Sequence, residues 1–178
     1  LPMEPIIGMK DPFHYRNKAQ FPVGRNRDGK IVTGFYAGRT HSIIENRDCV
    51  LGVPQNREIL DRVIDYMETY DISPYDEVTG KGLIRHIFTR YGYHTGEIMV
   101  CIVANGSRLP HQQELVKALR EIPGMTSITL NINKNRNNVI LGEKIQVLWG
   151  QEYITDKIGD ISYQISPLSF LNLYRELC

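Results

Sequence analysis

The sequence predicts an α+β domain with a largely antiparallel β-sheet and two helices, in the order βββ-α-ββ-α-βββ. Strand-like runs separated by turn residues fill most of the 178 residues. Two segments have the features of helices, one with apolar residues at helical spacing and one with clear start and stop signals. Strand runs that come in groups, with single helices between the groups, are typical of an α+β domain.

The first two strands are predicted to form a hairpin. The stretch YRNKAQFPVG alternates apolar and polar side chains as a half-buried strand does, which places Arg16, Lys18 and Gln20 together on the polar face. An Asp28-Gly29 turn follows, and the strand-like run IVTGFYA comes next.

The two helices are predicted from different signals. The stretch NREILDRVIDYMETYD has apolar residues at helical spacing and acids on the other side, so it reads as an amphipathic helix with an acidic outer face. The second helix runs from about Pro110 to Glu121, opened by proline and closed near Pro123-Gly124. Between the helices, GLIRHIFTRYG and GEIMVCIVANG read as two strands.

The remaining strands follow the second helix. In MTSITLNINKN the polar residues Ser127, Thr129, Asn131 and Asn133 alternate with apolar ones, which predicts a sheet face that is wet or carries a ligand. The runs EKIQVLWG, EYITDKIG and ISYQISP complete a β-rich tail.

Composition indicates an ordinary globular protein. Hydrophobic residues make up 42% and charged residues 23%, and no apolar run approaches the roughly 20 residues that a membrane span needs. Three widely spaced cysteines form neither a disulfide framework nor a CxxC zinc motif. We therefore expect one domain, monomeric, in the reducing cytoplasm and not at a membrane.

The net charge of +1 hides an uneven distribution. Residues 13–47 carry seven cations against two acids, and residues 58–77 carry seven acids against one cation. The basic segment predicts an anionic partner. Two solvated faces that offset each other explain the same pattern.

Most enzymatic signatures are absent from the sequence. There is no Walker loop, GxGxxG, HExxH or GxSxG, and the five histidines include no helical i, i+4 pair that would suggest a metal site. The basic hairpin instead combines cations with nearby aromatic rings, as binding of single-stranded or looped RNA requires. Arg16, Lys18 and Gln20 are the candidate RNA-facing residues, with Arg85 and Arg90 as weaker candidates. An ordinary exposed strand with long basic side chains is the alternative.

Seven segments of the sequence, taken in order, resemble segments of a known protein family. They are YRNKAQFPVG, HSIIENRDCVLG, GLIRHIFTRYG, TGEIMVCIVANG, SITLNINKNRNNVILG, LWGQEYITDKIGD and ISPLSF. Together they resemble the central part of the bacterial RNA uridine-5-methyltransferases that act on 23S rRNA or tRNA, from about Tyr15 to Phe170.

The resemblance implies a multidomain enzyme that uses S-adenosylmethionine. In such an enzyme a cysteine thiolate attacks carbon six of a flipped-out uridine, and the activated carbon five then accepts the methyl group. Those groups are expected in a C-terminal Rossmann-like domain. Residues 1–170 would then be the central RNA-facing domain, and 171–178 the start of, or a truncated link to, that catalytic domain. The 178-residue chain alone is expected to be inactive. The favoured substrate is 23S rRNA, with tRNA as the alternative.

The resemblance also assigns roles to single residues. Cys49 matches the family's fourth ligand to a four-iron four-sulfur cluster, whose other three cysteines lie upstream, so no cluster is expected in this chain. Asn172 stands where the family has a glutamine that contacts S-adenosylmethionine. An altered contact, truncation or missing residues would each explain this departure. Cys101 is expected to be a core thiol, and Cys178 matches no motif.

Two hypotheses in which the protein has no enzymatic activity are alternatives to the methyltransferase. One is an RNA-binding or assembly module that uses the same basic hairpin. The other is a structural domain whose charges are merely solvated.

Overall fold

The computed structural model describes residues 11–38 and 40–169, which form nine strands and two helices. In chain order these are β1 (Lys18–Arg25), β2 (Ile31–Tyr36), β3 (Ile43–Glu45), α1 (Gln55–Thr69), β4 (Ile84–Tyr91), β5 (Ile98–Ala104), α2 (Gln112–Arg120), β6 (Met125–Ile132), β7 (Lys144–Gly150), β8 (Ile154–Ile158) and β9 (Ile161–Ile165). The predicted α+β class is confirmed, and so is the order of elements through α2. Four strands follow α2, one for each of the four strand-like runs in that part of the sequence, although the predicted order counts three; the last two, β8 and β9, form a separate hairpin.

Seven strands form one sheet in the order β3-β2-β1-β4-β5-β6-β7. Neighbouring strands are antiparallel except β5 and β6, which are parallel. A parallel pair needs a crossover connection, and α2 supplies it. The sheet is therefore largely antiparallel, as predicted.

Both helices pack on one face of the sheet. From α1, Leu60, Val63 and Ile64 are buried in an apolar cluster that also contains Phe21 of β1 and Ile102 of β5. Burying a side chain of this size contributes about 1.5–3 kcal/mol to folding. In the part of the chain that the structure describes, no helix is long and apolar enough to cross a membrane.

The predicted β1–β2 hairpin is confirmed, with Val23 opposite Thr33 and Arg25 opposite Ile31. Gly29 closes the turn with a φ of +81°, a conformation that favours glycine. The Asn26 side-chain oxygen accepts hydrogen bonds from the backbone N–H groups of residues 28 and 30, both at 3.0 Å.

The first predicted strand begins three residues later than the sequence pattern suggested, at Lys18. Residues before it pair elsewhere: the His14 N–H donates to the Val50 carbonyl at 2.8 Å and the Arg16 N–H to the Leu51 carbonyl at 2.9 Å. This segment therefore anchors the loop that follows β3.

The β8–β9 hairpin packs on the sheet face opposite the helices, where Met99, Ile154 and Ile165 form a second apolar cluster. Buried Asp156 fastens the hairpin to the β4–β5 turn. Its carboxylate accepts hydrogen bonds from the backbone N–H groups of Tyr93 (2.9 Å) and His94 (2.8 Å).

The polar residues of β6 are buried, so the prediction of a wet sheet face is wrong at this strand. Ser127 and Thr129 are fully buried. Asn131 exchanges hydrogen bonds with Gly142, donating to its carbonyl and accepting from its N–H, both at 2.7 Å. Asn133 donates to the carbonyls of residues 139 and 140. The two amides hold the β6–β7 connection in place, which alternation along one strand does not reveal.

Candidate nucleic-acid interface

Four of the predicted site residues come together at one cleft beside β1. This cleft, called the β1 cleft below, has a volume of about 410 Å³. It is lined by Tyr15, Arg16, Asn17, Lys18, Ala19, Gln20, Phe21, Phe35, Cys49 and Gly52.

The β1 cleft exists because β2 leaves β1 early. Residues 18–22 of β1 pair with β4, but β2 pairs with β1 only at residues 23–25. From Gly34 onward, β2 pairs with β3. The loop after β3 closes the far side of the opening, held by a 2.7 Å hydrogen bond between His14 Nδ1 and the Gly52 carbonyl.

Two cations, Arg16 and Lys18, line the β1 cleft, and a third, the buried Arg90, lies outside its lining. Lys18 of β1 lies directly opposite Arg90 of β4, and both charges lie near the Phe88 ring, at 5.7 and 5.3 Å from its centroid. Arg16 is exposed and makes no side-chain hydrogen bond or ion pair with any described residue. Like charges on facing positions of a sheet repel each other and raise the local positive potential.

Burial lowers the pKa values of both Arg90 and Lys18. Burial lowers the pKa of Arg90 to about 10, although the guanidinium stays charged at neutral pH. Burial lowers the pKa of Lys18 as well, and the charge of Arg90 adds to that effect. An anion beside the pair would offset both effects.

The two described cysteines have different surroundings. Cys49 is a free, half-buried thiol that lines the β1 cleft beside the start of β1. Cys101 is fully buried in β5, and burial raises the pKa of its thiol to about 12. The expectation that Cys101 is a core thiol is confirmed.

Arg85 lies apart from the β1 cleft, five residues along β4 from Arg90 or roughly 17 Å at strand spacing. Its side chain is buried over the Tyr75 ring, 4.4 Å from the centroid, and Nη1 donates to the carbonyls of Asn133 (3.1 Å) and Asn135 (2.7 Å). The sequence grouped it with Arg90 as an RNA-facing candidate, which stays a prediction for both residues.

A second and larger cleft was not predicted. This hairpin cleft, of about 1020 Å³, lies between the β1–β2 turn, the start of β3 and the loops around residues 76 and 136. Its polar lining includes Arg25, Arg27, Tyr36, His41, Arg85 and Arg136. The basic run RNRDGK was the available signal, but Arg136 lies more than 100 residues later and no local pattern connects the two.

Some predicted positions have no structural test. Asn172, Cys178 and the boundary after residue 170 lie outside the described residues. Within the described ranges, no group of three or more histidine, cysteine, aspartate or glutamate side chains is arranged to hold a metal ion.

No protein-family model matches the chain. It is 43% identical over 175 residues to an uncharacterized RNA methyltransferase of Halalkalibacterium halodurans, covering 98% of this chain. It is 43% identical over 175 residues to one of Oceanobacillus iheyensis and 44% identical over 168 residues to one of Caldanaerobacter subterraneus, covering 97% and 94% of this chain. The chain spans 37–38% of the length of these three relatives.

A solved structure is similar as well. The tRNA (uracil-54, C5)-methyltransferase of Pyrococcus abyssi, in complex with S-adenosyl-L-homocysteine, matches 91% of this chain with a TM-score of 0.75 and 25% sequence identity. The match covers 37% of that longer chain.

Proposed function

We infer that this chain, which belongs to the family of bacterial RNA methyltransferases, is the RNA-binding part of an S-adenosylmethionine-dependent RNA uracil-5-methyltransferase. The chain spans little more than a third of the length of these relatives. The observation that carries this proposal is the gathering of Arg16, Lys18, Gln20 and Cys49 at the β1 cleft. The cations Arg16 and Lys18 suit the phosphates of an RNA strand, and the ring of Tyr15 in the same cleft suits its bases.

The cofactor part of the proposal rests on the Pyrococcus abyssi neighbour. S-Adenosyl-L-homocysteine, named in that complex, is what S-adenosylmethionine becomes after it gives up its methyl group. No residue between 11 and 169 is assigned to this cofactor, and Asn172 remains the position that the family resemblance indicates. We place the methyl-transfer groups in the part of the longer relatives that this chain does not match, and we expect the chain alone to transfer no methyl group.

The RNA substrate has two candidates. The sequence resemblance favours 23S rRNA, whereas the structural neighbour is named for tRNA. Methylation of each purified RNA by a protein that joins this chain to the rest of the family sequence distinguishes them. We place that protein in the cytoplasm, where both RNAs occur.

Cys49 is proposed as one ligand of a four-iron four-sulfur cluster. It fits as a single ligand, since its thiol is free, half-buried and open to the β1 cleft. Such a cluster takes four thiolates, and the other described cysteine, Cys101, is enclosed in the core. Three ligands must therefore come from outside the described residues.

Anaerobic reconstitution with iron and sulfide tests the cluster proposal. We expect no stable cluster in the 178-residue chain, and a cluster in the longer protein that Cys49→Ala abolishes. A longer protein that keeps its iron, sulfide and visible absorbance in the Cys49→Ala variant would contradict the assignment.

The RNA-binding proposal is tested by fluorescence anisotropy with a labelled single-stranded RNA. We expect affinity that falls steeply with added salt, because phosphate contacts release counterions. The double variant Arg16→Ala with Lys18→Ala should bind roughly 10- to 100-fold more weakly, as expected from the loss of charge-assisted hydrogen bonds.

The matched control for this measurement removes two exposed cations elsewhere. Lys117 of α2 and Lys157 of β8 line neither cleft. Lys117→Ala with Lys157→Ala should leave affinity nearly unchanged. Equal losses in the two double variants would mean that total charge, and not the β1 cleft, determines binding. An affinity that Arg16→Ala with Lys18→Ala leaves unchanged would favour the structural domain with solvated charges.

A further inference from the structure

We propose that the hairpin cleft is a second RNA-binding site, which holds the sugar-phosphate backbone and one base of a single strand. This inference rests on the proposed function, because it takes RNA as the ligand of the chain. It adds a binding site away from the β1 cleft.

The charges that line the hairpin cleft favour an anion. Five cationic side chains line it, against the two acids Asp76 and Glu77: Arg25, Arg27, Lys81, Arg85 and Arg136. Both acids already have local partners. The Asp76 carboxylate accepts hydrogen bonds from the Val78 N–H and the Thr79 hydroxyl. The Glu77 carboxylate oxygen Oε2 lies 2.8 Å from Nδ1 of His41. A cleft lined by an excess of one sign attracts the opposite charge.

The arginines retain donors that a phosphate would use. Arg27 is exposed and makes no side-chain hydrogen bond or ion pair with any described residue. Arg85 is only 5% exposed, and its Nε has no hydrogen-bond partner in the described part of the chain, although Nη1 has two. The buried Arg85 guanidinium therefore adds positive charge to the wall of the cleft, and the exposed Arg27 supplies the donors that a phosphate would use.

Arg136 is positioned to face the same cleft. Its Nη2 donates to the Thr79 carbonyl at 3.3 Å, and its guanidinium lies so close to Gly80 that a side chain there would clash with it. The contact fastens the loop after β6 to the loop before β4, so that cations far apart in sequence meet across one opening.

Tyr36 supplies an aromatic surface for a base. Its side chain is exposed (40%), and its ring meets those of His41 and His86 edge-on, with centroids 5.8 and 6.3 Å apart. Stacking on an aromatic ring is the sequence-tolerant way in which proteins hold unpaired bases. A cleft with an exposed aromatic ring beside its cations suits the unpaired bases of a single strand better than the stacked bases of a duplex.

The two clefts are consecutive along β1. Residues 15–21 line the β1 cleft and residues 23–27 line the hairpin cleft, so one RNA strand that follows β1 passes both. We therefore expect a short single strand to contact both clefts at once.

Anisotropy with labelled single-stranded oligouridylate tests the proposal on the 178-residue chain. Arg27→Ala with Arg136→Ala should weaken binding roughly 10- to 100-fold. The slope of log affinity against log salt should fall by about 1.4, which is 0.7 for each lost phosphate contact on a single strand. Lys117→Ala with Lys157→Ala is again the control, and Arg27→Glu alone should weaken binding while leaving the fold intact, because Arg27 makes no contact that the fold needs.

The outcomes separate this site from the proposed function. Unchanged affinity in both Arg27 variants, together with weakened binding by Arg16→Ala with Lys18→Ala, would overturn the hairpin site and leave the proposed function standing. Absence of RNA binding by the unmodified chain would overturn both. Duplex RNA that competes as well as single-stranded RNA would also overturn the proposed binding mode.

Discussion

At the scale of single residues, His86 combines burial with a lack of partners. Its side chain is 4% exposed, and neither ring nitrogen has a hydrogen-bond partner within the described ranges. Burial, with a smaller contribution from the Arg85 charge, lowers the pKa of His86 to about 4. The ring is therefore neutral at physiological pH and contributes no charge to RNA binding.

The depressed pKa makes stability depend on pH in a defined direction. The unfolded chain binds a proton at His86 near pH 6.5, and the folded chain binds it only near pH 4. The stability contribution is thus complete above about pH 6.5, declines as the pH falls and is lost below about pH 4. The total is roughly 3 kcal/mol.

Two substitutions test the effect of His86. His86→Phe and His86→Gln both remove the ionisation, so the free energy of unfolding should decrease less between pH 6.5 and 4 than in the unmodified chain. At pH 7, His86→Phe should be the more stable variant because it also removes the unpaired polar atoms. Urea unfolding across this pH range measures both effects. A pH profile that neither substitution changes would show that His86 does not titrate as described.

At the scale of elements, contacts between neighbouring elements give the sheet its shape at the β1 cleft. A side chain at Gly34 of β2 would clash with the backbone of Ile44 in β3 and of Asn46 just after it. The close approach of these two strands draws β2 away from β1 and positions the loop that carries Cys49. On the helix face, buried Thr89 donates a 2.8 Å hydrogen bond to the Asn56 side chain of α1.

Gly34→Ala should separate β3 from β2. We expect a loss of about 1–3 kcal/mol in the free energy of unfolding and faster alkylation of Cys49, whose loop loses its support. Chemical denaturation and mass spectrometry of the modified peptide measure the two effects. Gly38→Ala is the control, since nothing lies within 4 Å of a side-chain carbon at that position. Equal stability in the two variants would rule out the steric role of Gly34.

Thr89→Val tests the contact between α1 and the sheet. The substitution keeps the side-chain volume but leaves the Asn56 side-chain oxygen buried without its donor, so we expect a cost of about 1–3 kcal/mol. Thr126→Val removes a hydroxyl that bonds only the nearby Gly124 carbonyl at an exposed position and should cost less. Thermal unfolding that ranks the two variants in the reverse order would contradict this account of the buried bond.

At the scale of the whole molecule, local patterns predicted the elements better than they predicted the site. The hairpin, the amphipathic α1 and the core position of Cys101 follow from alternation, turn residues and spacing. The burial of Asn131 and Asn133 depends on their hydrogen bonds to the loop between β6 and β7. The presence of Arg27 and Arg136 in one cleft depends on contacts between loops, such as that of Arg136 with Thr79, which no local pattern contains. The position of Cys49 beside Arg16 and Lys18 follows only from the departure of β2 from β1.

RNA is proposed to occupy the β1 cleft, and the thiol of Cys49, which lines that cleft, allows its occupancy to be measured. The most direct measurement is the rate of Cys49 alkylation, followed by peptide mass spectrometry with and without a single-stranded RNA whose binding is confirmed by anisotropy. We expect bound RNA to slow alkylation of Cys49, and Arg16→Ala with Lys18→Ala to reduce that protection at equal RNA concentration. RNA that binds the chain at saturation and leaves the Cys49 rate unchanged would contradict the claim.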